Sequence, residues 1–345
     1  MARETRPLVM ALCVVLGSGC ASSEKGVGSK PIAAEPVARG QYLANGIARC
    51  FWCHSPLDNS DPAVPRPETF GAGDVLDVKA PLVAPNITPD SETGLGNWSN
   101  HEIIRAVREG IGRDGRDLQG HPANYYSVMT DEDGAAVVAY LRSLRPIHRR
   151  LPRSAPPLRQ HERVQRPLPP AKAAALVLPT LRGAYLVHLG ECVGCHTPAH
   201  ADGNPFRELE FGGGRRFRLE KGYGVEVSSF DPTFPSASAA SKAPLTTGPI
   251  VASANITPDP SGIPWYTEAI FIQTIRTGKV AGVRALSAAM PWVFFRTLTD
   301  ADLRDIFAYL KTVRPVHHGV DNSDPPTFCP RCGRLHGLGK FNVSW

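Results

Sequence analysis

Two short runs constrain this 345-residue chain more than anything else in it: Cys50-Phe51-Trp52-Cys53-His54 and Cys192-Val193-Gly194-Cys195-His196. C-x-x-C-H is the covalent attachment site of a c-type haem. The two thiols become thioethers to the vinyl groups, and the adjacent imidazole reaches the iron as proximal ligand. At this cysteine and histidine content chance supplies about 0.006 such matches. Two copies therefore predict two covalently bound haem c groups, one on Cys50, Cys53 and His54, the other on Cys192, Cys195 and His196. The bland alternative is a pair of short-loop disulfides or zinc half-sites. Composition agrees with short helices wrapped around a cofactor, because 33 prolines and 32 glycines punctuate the chain too often for a long sheet or coiled coil. The formal charge of +6 is spread over scattered Lys and Arg without a nucleic-acid motif, which argues against nucleic acid as a partner.

Two haems imply two domains, and an internal repeat supports them. Asn86-Ile87-Thr88-Pro89-Asp90 recurs as Asn255-Ile256-Thr257-Pro258-Asp259. From each Asn, 35 residues lead to His121-Pro122 and to Met290-Pro291, and 19 more reach Tyr140-Leu141 and Tyr309-Leu310. Upstream, Phe70-Gly71 matches Phe211-Gly212, after which the second copy carries about 28 extra residues, Gly213 to about Ser253, expected to form a polar loop. Val137, Tyr140, Leu141 and Leu144 share one helical face, as do Leu303, Ile306, Phe307, Leu310 and Val313. Thr130-x-x-Asp133, Thr299-x-x-Asp302 and Ser99-x-x-Glu102 read as capping boxes. Gly40 and Gly183 fall on the opening helix of each copy, where a missing side chain would let the last helix cross closely.

At the N-terminus, Arg3 and Arg6 precede an apolar run, Pro7 to Leu16, too short to span a bilayer, which marks an export signal over residues 1–20. It ends in Leu16-Gly17-Ser18-Gly19-Cys20, which resembles the lipobox of bacterial lipoproteins, with Gly17 a departure from the usual leucine. The expectation is a lipidated Cys20, a flexible tether over 21–35 and a periplasmic, membrane-tethered protein, on the outer membrane if the residues after Cys20 follow the usual sorting rule.

The repeat as a whole resembles the multi-haem cytochrome c subunits that serve membrane-associated alcohol, aldehyde and nicotinate dehydrogenases of bacteria. The resemblance rests on Asn-Ile-Thr-Pro-Asp, Trp98 and Trp265, the Arg108-Glu109-Gly110 and Arg276-Thr277-Gly278 helix ends, Met290-Pro291 and the run Tyr-Leu-Arg-Ser-Leu-Arg-Pro ending at Pro146. It covers nearly everything from Gly40 to Val316. It implies an all-α architecture of two tandem class I cytochrome c folds with long irregular loops. These are domain 1 at 36–148 and domain 2 at 182–318, joined by a Pro-rich strap at 149–181 and followed by a tail at 319–345.

In that family the methionine of Met-Pro is the distal iron ligand, a role that falls to Met290 and would make haem 2 the higher-potential centre. Copy 1 departs from the pattern. His121 stands in the slot of Met290, while Met129 aligns with the core position Leu298. Haem 1 is therefore expected to be bis-histidine, through His54 and His121, with Met129, His101 or an open distal site as alternatives. Arg108 and Arg276 are candidates to pair haem propionates, or else solvated helix-end arginines. Asn86 and Asn255 either donate to a propionate or shape the turn before Pro. Cys329-Pro330-Arg331-Cys332 lacks the following histidine; it reads as a disulfide in an exported protein, or as half of a zinc ribbon with His336, His317 or His318.

The function expected is electron carriage without catalysis: acceptance from a dehydrogenase or quinol-oxidising complex and delivery to another cytochrome or a terminal oxidase. A dihaem peroxidase is the alternative from a different class, and a redox-sensing or structural cytochrome a third.

Overall fold

The computed structural model describes residues 36–58, 64–77, 82–118, 120–154, 168–200, 204–219, 225–226, 250–287, 289–320, 327–329 and 334–336. The expected signal segment with Cys20, the expected tether, Cys332 and the side chains of Cys329 and His336 lie outside the described residues.

In the first copy of the repeat, α1 (Pro36–Asn45) leads into the one-turn helix α2 (Cys50–Cys53). A hairpin of β1 (Asp74–Asp77) and β2 (Leu82–Ala84) follows, then α3 (Asn100–Glu109), the short α4 (Ala123–Tyr126) and α5 (Asp131–Ser143). The second copy repeats the order with α6 (Pro179–Leu189), α7 (Cys192–His196), β3 (Arg216–Leu219), β4 (Val225–Glu226), β5 (Ile250–Ala252), α8 (Glu268–Thr277), β6 (Lys279–Val280), β7 (Arg284–Ala285), α9 (Trp292–Phe295) and α10 (Asp300–Leu310). After it, β8 (Thr327–Cys329) pairs antiparallel with β9 (Arg334–His336). Helices make the core, and short antiparallel pairs close the loops. The all-α expectation needs that addition, because the chain between the attachment helix and the Asn-Ile-Thr-Pro-Asp turn satisfies its backbone groups as a ladder. The insertion in copy 2 is not wholly a polar loop. Its ends form β3 and β5, which pair antiparallel and bury Phe217, Val251 and Ala252, so it lengthens the hairpin that copy 1 closes tightly with β1 and β2.

The helix crossing expected from the two glycines is present. A Cβ on Gly40 would stand 1.9 Å from the Ala136 carbonyl oxygen, and one on Gly183 1.9 Å from that of Asp305. Only glycine lets α1 reach α5, and α6 reach α10, backbone against backbone. The stripe read from periodicity is buried as expected, through Val137, Tyr140 and Leu141 in α5 and Leu303, Ile306 and Leu310 in α10.

Of the three capping boxes, only Ser99-x-x-Glu102 closes in both directions. Thr130 and Thr299 do accept from the backbone N–H of Asp133 and Asp302, but the carboxylates turn elsewhere. Asp133 takes both Arg39 (Nε and Nη2, 2.8 Å) and the hydroxyl of Tyr185 (2.6 Å). Asp302 takes Arg182 (Nε, 2.7 Å) and the hydroxyl of Tyr42 (2.5 Å). The vacated cap position is filled by the same tyrosines, since the N–H of Thr130 donates to the Tyr185 oxygen and that of Thr299 to the Tyr42 oxygen. Tyr42 and Tyr185 are equivalent residues of the repeat, so each copy closes the last helix of the other. A buried carboxylate demands charged or hydrogen-bonded partners, and the other copy supplies one of them.

The two copies consequently share one core. Leu43, Ile47 and Phe51 join Leu186, Leu189 and Leu298 in a single buried apolar cluster, and no division of the chain separates the copies into distinct compact units. The start of the strap runs along copy 1, where Arg149 donates to the Gly73 carbonyl oxygen and Ser154 accepts from the Val83 N–H. Its end is held where Ala171 N–H donates to the Val128 carbonyl oxygen. Among the described residues no helix is long and apolar enough to cross a membrane.

Candidate haem centres

Each attachment motif begins with a backbone reversal. Arg49 (φ 48°) and Glu191 (φ 57°) occupy the left-handed region immediately before the first cysteine, and a single turn of helix then carries both thiols. None of Cys50, Cys53, Cys192 and Cys195 is engaged in a disulfide, so the disulfide alternative does not hold for these pairs in this structure. Burial pushes the Cys50 and Cys192 thiols up to about 12 and Cys53 to about 11. Both thiols of each pair are therefore neutral at ordinary pH.

The imidazole that follows is held identically in both copies. His54 Nδ1 lies 2.7 Å from the Pro85 carbonyl oxygen, and His196 Nδ1 2.7 Å from that of Ala254. An Nδ1–H donated to a carbonyl fixes the tautomer and leaves Nε2 as the lone-pair nitrogen, the arrangement a histidine ligand to iron requires. Burial holds both rings below the ordinary histidine range despite these hydrogen bonds, so the neutral ligand form prevails.

Pro85 and Ala254 immediately precede the repeated Asn, and the Asn side chain explains the motif. Asn86 Oδ1 accepts from the N–H and hydroxyl of Thr88, while its Nδ2 donates to Ile147 O at 2.7 Å and Thr93 Oγ1 at 2.9 Å. Asn255 repeats this with Thr257, Val316 O and Ser261 Oγ. Both amide hydrogens are spent within the protein, which is the turn-shaping alternative. The Asn-x-Thr turn aims the preceding carbonyl at the proximal histidine.

Arg108 and Arg276 each tie the end of one helix, α3 or α8, to the start of the last helix of the same copy, α5 or α10. Arg108 Nη1 reaches Asp131 at 2.7 Å and Arg276 Nη2 reaches Asp300 at 2.6 Å. Nε and Nη2 of Arg108 are buried without a hydrogen-bond partner among the described residues.

His121 is half-buried. Its Nδ1 is fully buried without a hydrogen-bond partner among the described residues, its ring meets Tyr126 edge-on at 5.8 Å, and it lies close enough to His54 to sense that ring's charge. Burial first, and His54 second, press it down to about 3, so it too is neutral. Met290 is partly buried against the same core. Met129 and Leu298, at matching positions, are both 1% exposed, which makes Met129 a core side chain. His101 is exposed on α3. Two thiols on one turn of helix, a following imidazole fixed through Nδ1, and a further imidazole whose buried Nδ1 has no hydrogen-bond partner among the described residues together fit a covalently bound haem.

Sequence reasoning missed three things here: the Pro85 and Ala254 carbonyls, the reciprocal tyrosines, and the charged residue before each motif. A backbone carbonyl leaves no residue-type signal. The opposite charges of Arg49 and Glu191 were legible, but their meeting was not.

A one-turn helix presenting two thiols and an oriented imidazole defines a c-type haem attachment site. Residues 37–145 match the cytochrome c family model. A nicotinate dehydrogenase component of Pseudomonas putida is 34% identical over 194 residues, 52% of this chain and 15% of that protein. The cytochrome c subunit of the quinone-dependent alcohol dehydrogenase of Gluconobacter oxydans is 25% identical over 305 residues, covering 82% of this chain and 56% of the relative. The fructose dehydrogenase cytochrome subunit of Gluconobacter japonicus is 28% identical over 301 residues, covering 80% and 52%. The chain spans little more than half the length of the latter two relatives and far less of the first. It contains a cytochrome c domain at residues 37–145 and is homologous to cytochrome c subunits of bacterial dehydrogenases.

Proposed function

We propose that this chain is an exported dihaem c-type cytochrome that carries electrons from a dehydrogenase or quinol-oxidising complex to a downstream cytochrome or terminal oxidase, without a catalytic site of its own. The observation that carries this reading is the matched pair of proximal histidines, each with Nδ1 2.7 Å from a carbonyl oxygen, at the same place in two copies of one repeat. It supports a second cytochrome c domain in copy 2, beyond the segment matched by the family model. When bound, haem c supplies a one-electron iron couple; the protein supplies ligands, burial and edges for partners. Cys50 and Cys53 with His54, and Cys192 and Cys195 with His196, hold the two groups. Met290 completes one coordination sphere and His121 the other. A thioether ligand favours the ferrous state, which makes the second centre the higher in potential. Lipidation of Cys20 and a periplasmic location belong to the same proposal and rest on the signal alone.

The relatives carry the names of dehydrogenase components, and no observation on this chain favours the peroxidase reading. Low-temperature EPR with near-infrared magnetic circular dichroism on the oxidised, mature protein tests the proposal. Two low-spin haems, one bis-histidine and one His/Met, are expected. A high-spin haem means an open coordination site and overturns the carrier reading, and a spectrum of haem 1 unchanged in His121→Ala overturns the ligand assignment.

A further inference from the structure

Between the two attachment helices lies an ion pair that neither copy of the repeat contains by itself. Arg49 Nη2 and Glu191 Oε1 are 2.9 Å apart, with side chains 8% and 19% exposed. Each residue immediately precedes the first cysteine of its own motif, and both hold a left-handed backbone, a conformation that persists in a non-glycine residue only when its surroundings enforce it. The surroundings do so from both copies. Arg49 Nη1 donates to the Gly190 carbonyl oxygen at 2.9 Å, and the guanidinium lies 5.4 Å from the Trp52 ring centre and 5.5 Å from that of Phe295. The Tyr126 hydroxyl donates to the Ala48 carbonyl oxygen at 2.5 Å and contacts Glu191 Oε1 at 3.2 Å. Trp52 packs on Phe294 of the other copy, and Tyr125 lies over Gly194, where a Cβ would stand 2.2 Å from its hydroxyl. The two motifs thus face one another across this pair.

We infer that the Arg49–Glu191 pair is a charge-compensating element shared by both haem centres, whose neutrality keeps either charge from displacing the two reduction potentials together. The inference rests on the two-haem reading above. A haem iron gains a unit of positive charge on oxidation. A neutral pair between two such centres favours neither state, whereas one uncompensated charge in a dry site acts on both at once. A charge seen by one haem alone would tune only that haem.

The test is a potentiometric titration of the purified, haem-loaded protein, with the two haems resolved by their EPR signals. Glu191→Gln keeps an acceptor for Arg49 and Tyr126 but leaves the guanidinium uncompensated, so both haems should rise in potential. Arg49→Gln should lower both. The expected size is about a tenfold change in each oxidised-to-reduced ratio at fixed potential, or about 59 mV for one electron. Arg49→Lys and Glu191→Asp preserve the charges and should leave both potentials near the wild type, even where stability falls. Two titrating haems of which only one moves, or neither, overturns the inference while leaving the dihaem reading intact. A displacement in the charge-preserving variants as large as in Glu191→Gln also overturns it, because shape rather than charge would then be what the haems read. A protein that titrates with a single haem overturns the dihaem reading instead.

Discussion

Tyr42→Phe and Tyr185→Phe remove one oxygen each from a half-buried and a buried site, and the structure says what each loses. The Tyr42 hydroxyl donates to Asp302 at 2.5 Å and accepts from the Thr299 N–H at 2.9 Å. A hydrogen bond to a charged acceptor contributes about 1.5–3 kcal/mol, and an amide left without its acceptor costs about 1 kcal/mol more. Tyr42→Phe should therefore destabilise by roughly 3 kcal/mol. At Tyr185 the donated bond is similar, 2.6 Å to Asp133, but the accepted one from Thr130 is stretched to 3.4 Å, so the loss should be nearer to about 2 kcal/mol. No hydrogen bond joins the two networks, but Arg39 of one lies over the Tyr42 ring of the other at 5.6 Å, so the double variant should fall within about 1 kcal/mol of the sum, about 5 kcal/mol. Urea denaturation of the haem-loaded protein, followed by far-ultraviolet circular dichroism and by the haem absorbance, measures this. Because these bonds join the two copies, the double variant should also split one transition into two. Losses below about 0.5 kcal/mol for each single variant would refute the argument that each copy caps the last helix of the other.

Gly183→Ala places a Cβ 1.9 Å from the Asp305 carbonyl oxygen, so α6 and α10 must part by roughly 1.5 Å to regain ordinary contact. The expected cost is about 3 kcal/mol, only partly offset by about 1 kcal/mol of helix propensity, and an unchanged thermal midpoint contradicts it. Burial first, and a neighbouring carboxylate next, raise the phenols of Tyr42, Tyr126 and Tyr185. A group whose folded pKa lies above its unfolded value contributes stability below the unfolded value, about 10 for tyrosine, and loses it as pH climbs further. Alkaline unfolding should therefore coincide with the last step of tyrosinate absorbance, whereas full ionisation of all eight tyrosines in a chain with native circular dichroism would count against it. His121→Met should give the first haem the same thioether ligation as the second and raise its potential; a potential that stays put argues that His121 is not the distal ligand.

Much of the local design was legible. The C-x-x-C-H spacing named the cofactor, and the repeat located Met290 and its counterpart His121. Gly40 and Gly183 announced the helix crossings. The Ser99-x-x-Glu102 box was right, whereas the two Thr-x-x-Asp boxes were only half right, because that pattern cannot reveal that a tyrosine from the other copy takes over the cap and shares the acid with an arginine. The Asn-Ile-Thr-Pro-Asp motif was recognisable, but its use, aiming the Pro85 and Ala254 carbonyls at the proximal histidines, depends on atoms that every residue carries.

What the sequence determined by itself is whatever depends on neighbours along the chain: a turn of helix bearing two thiols and an imidazole, an amphipathic stripe, a glycine in place of a side chain. These follow from covalent spacing and helical period. What only the tertiary structure decided is how the copies meet, including the exchange of Tyr42 and Tyr185 and the joining of Arg49 to Glu191 between the two motifs. The members of each contact are far apart in the chain and come together only because each copy leaves apolar surface and a charged group that it cannot satisfy alone.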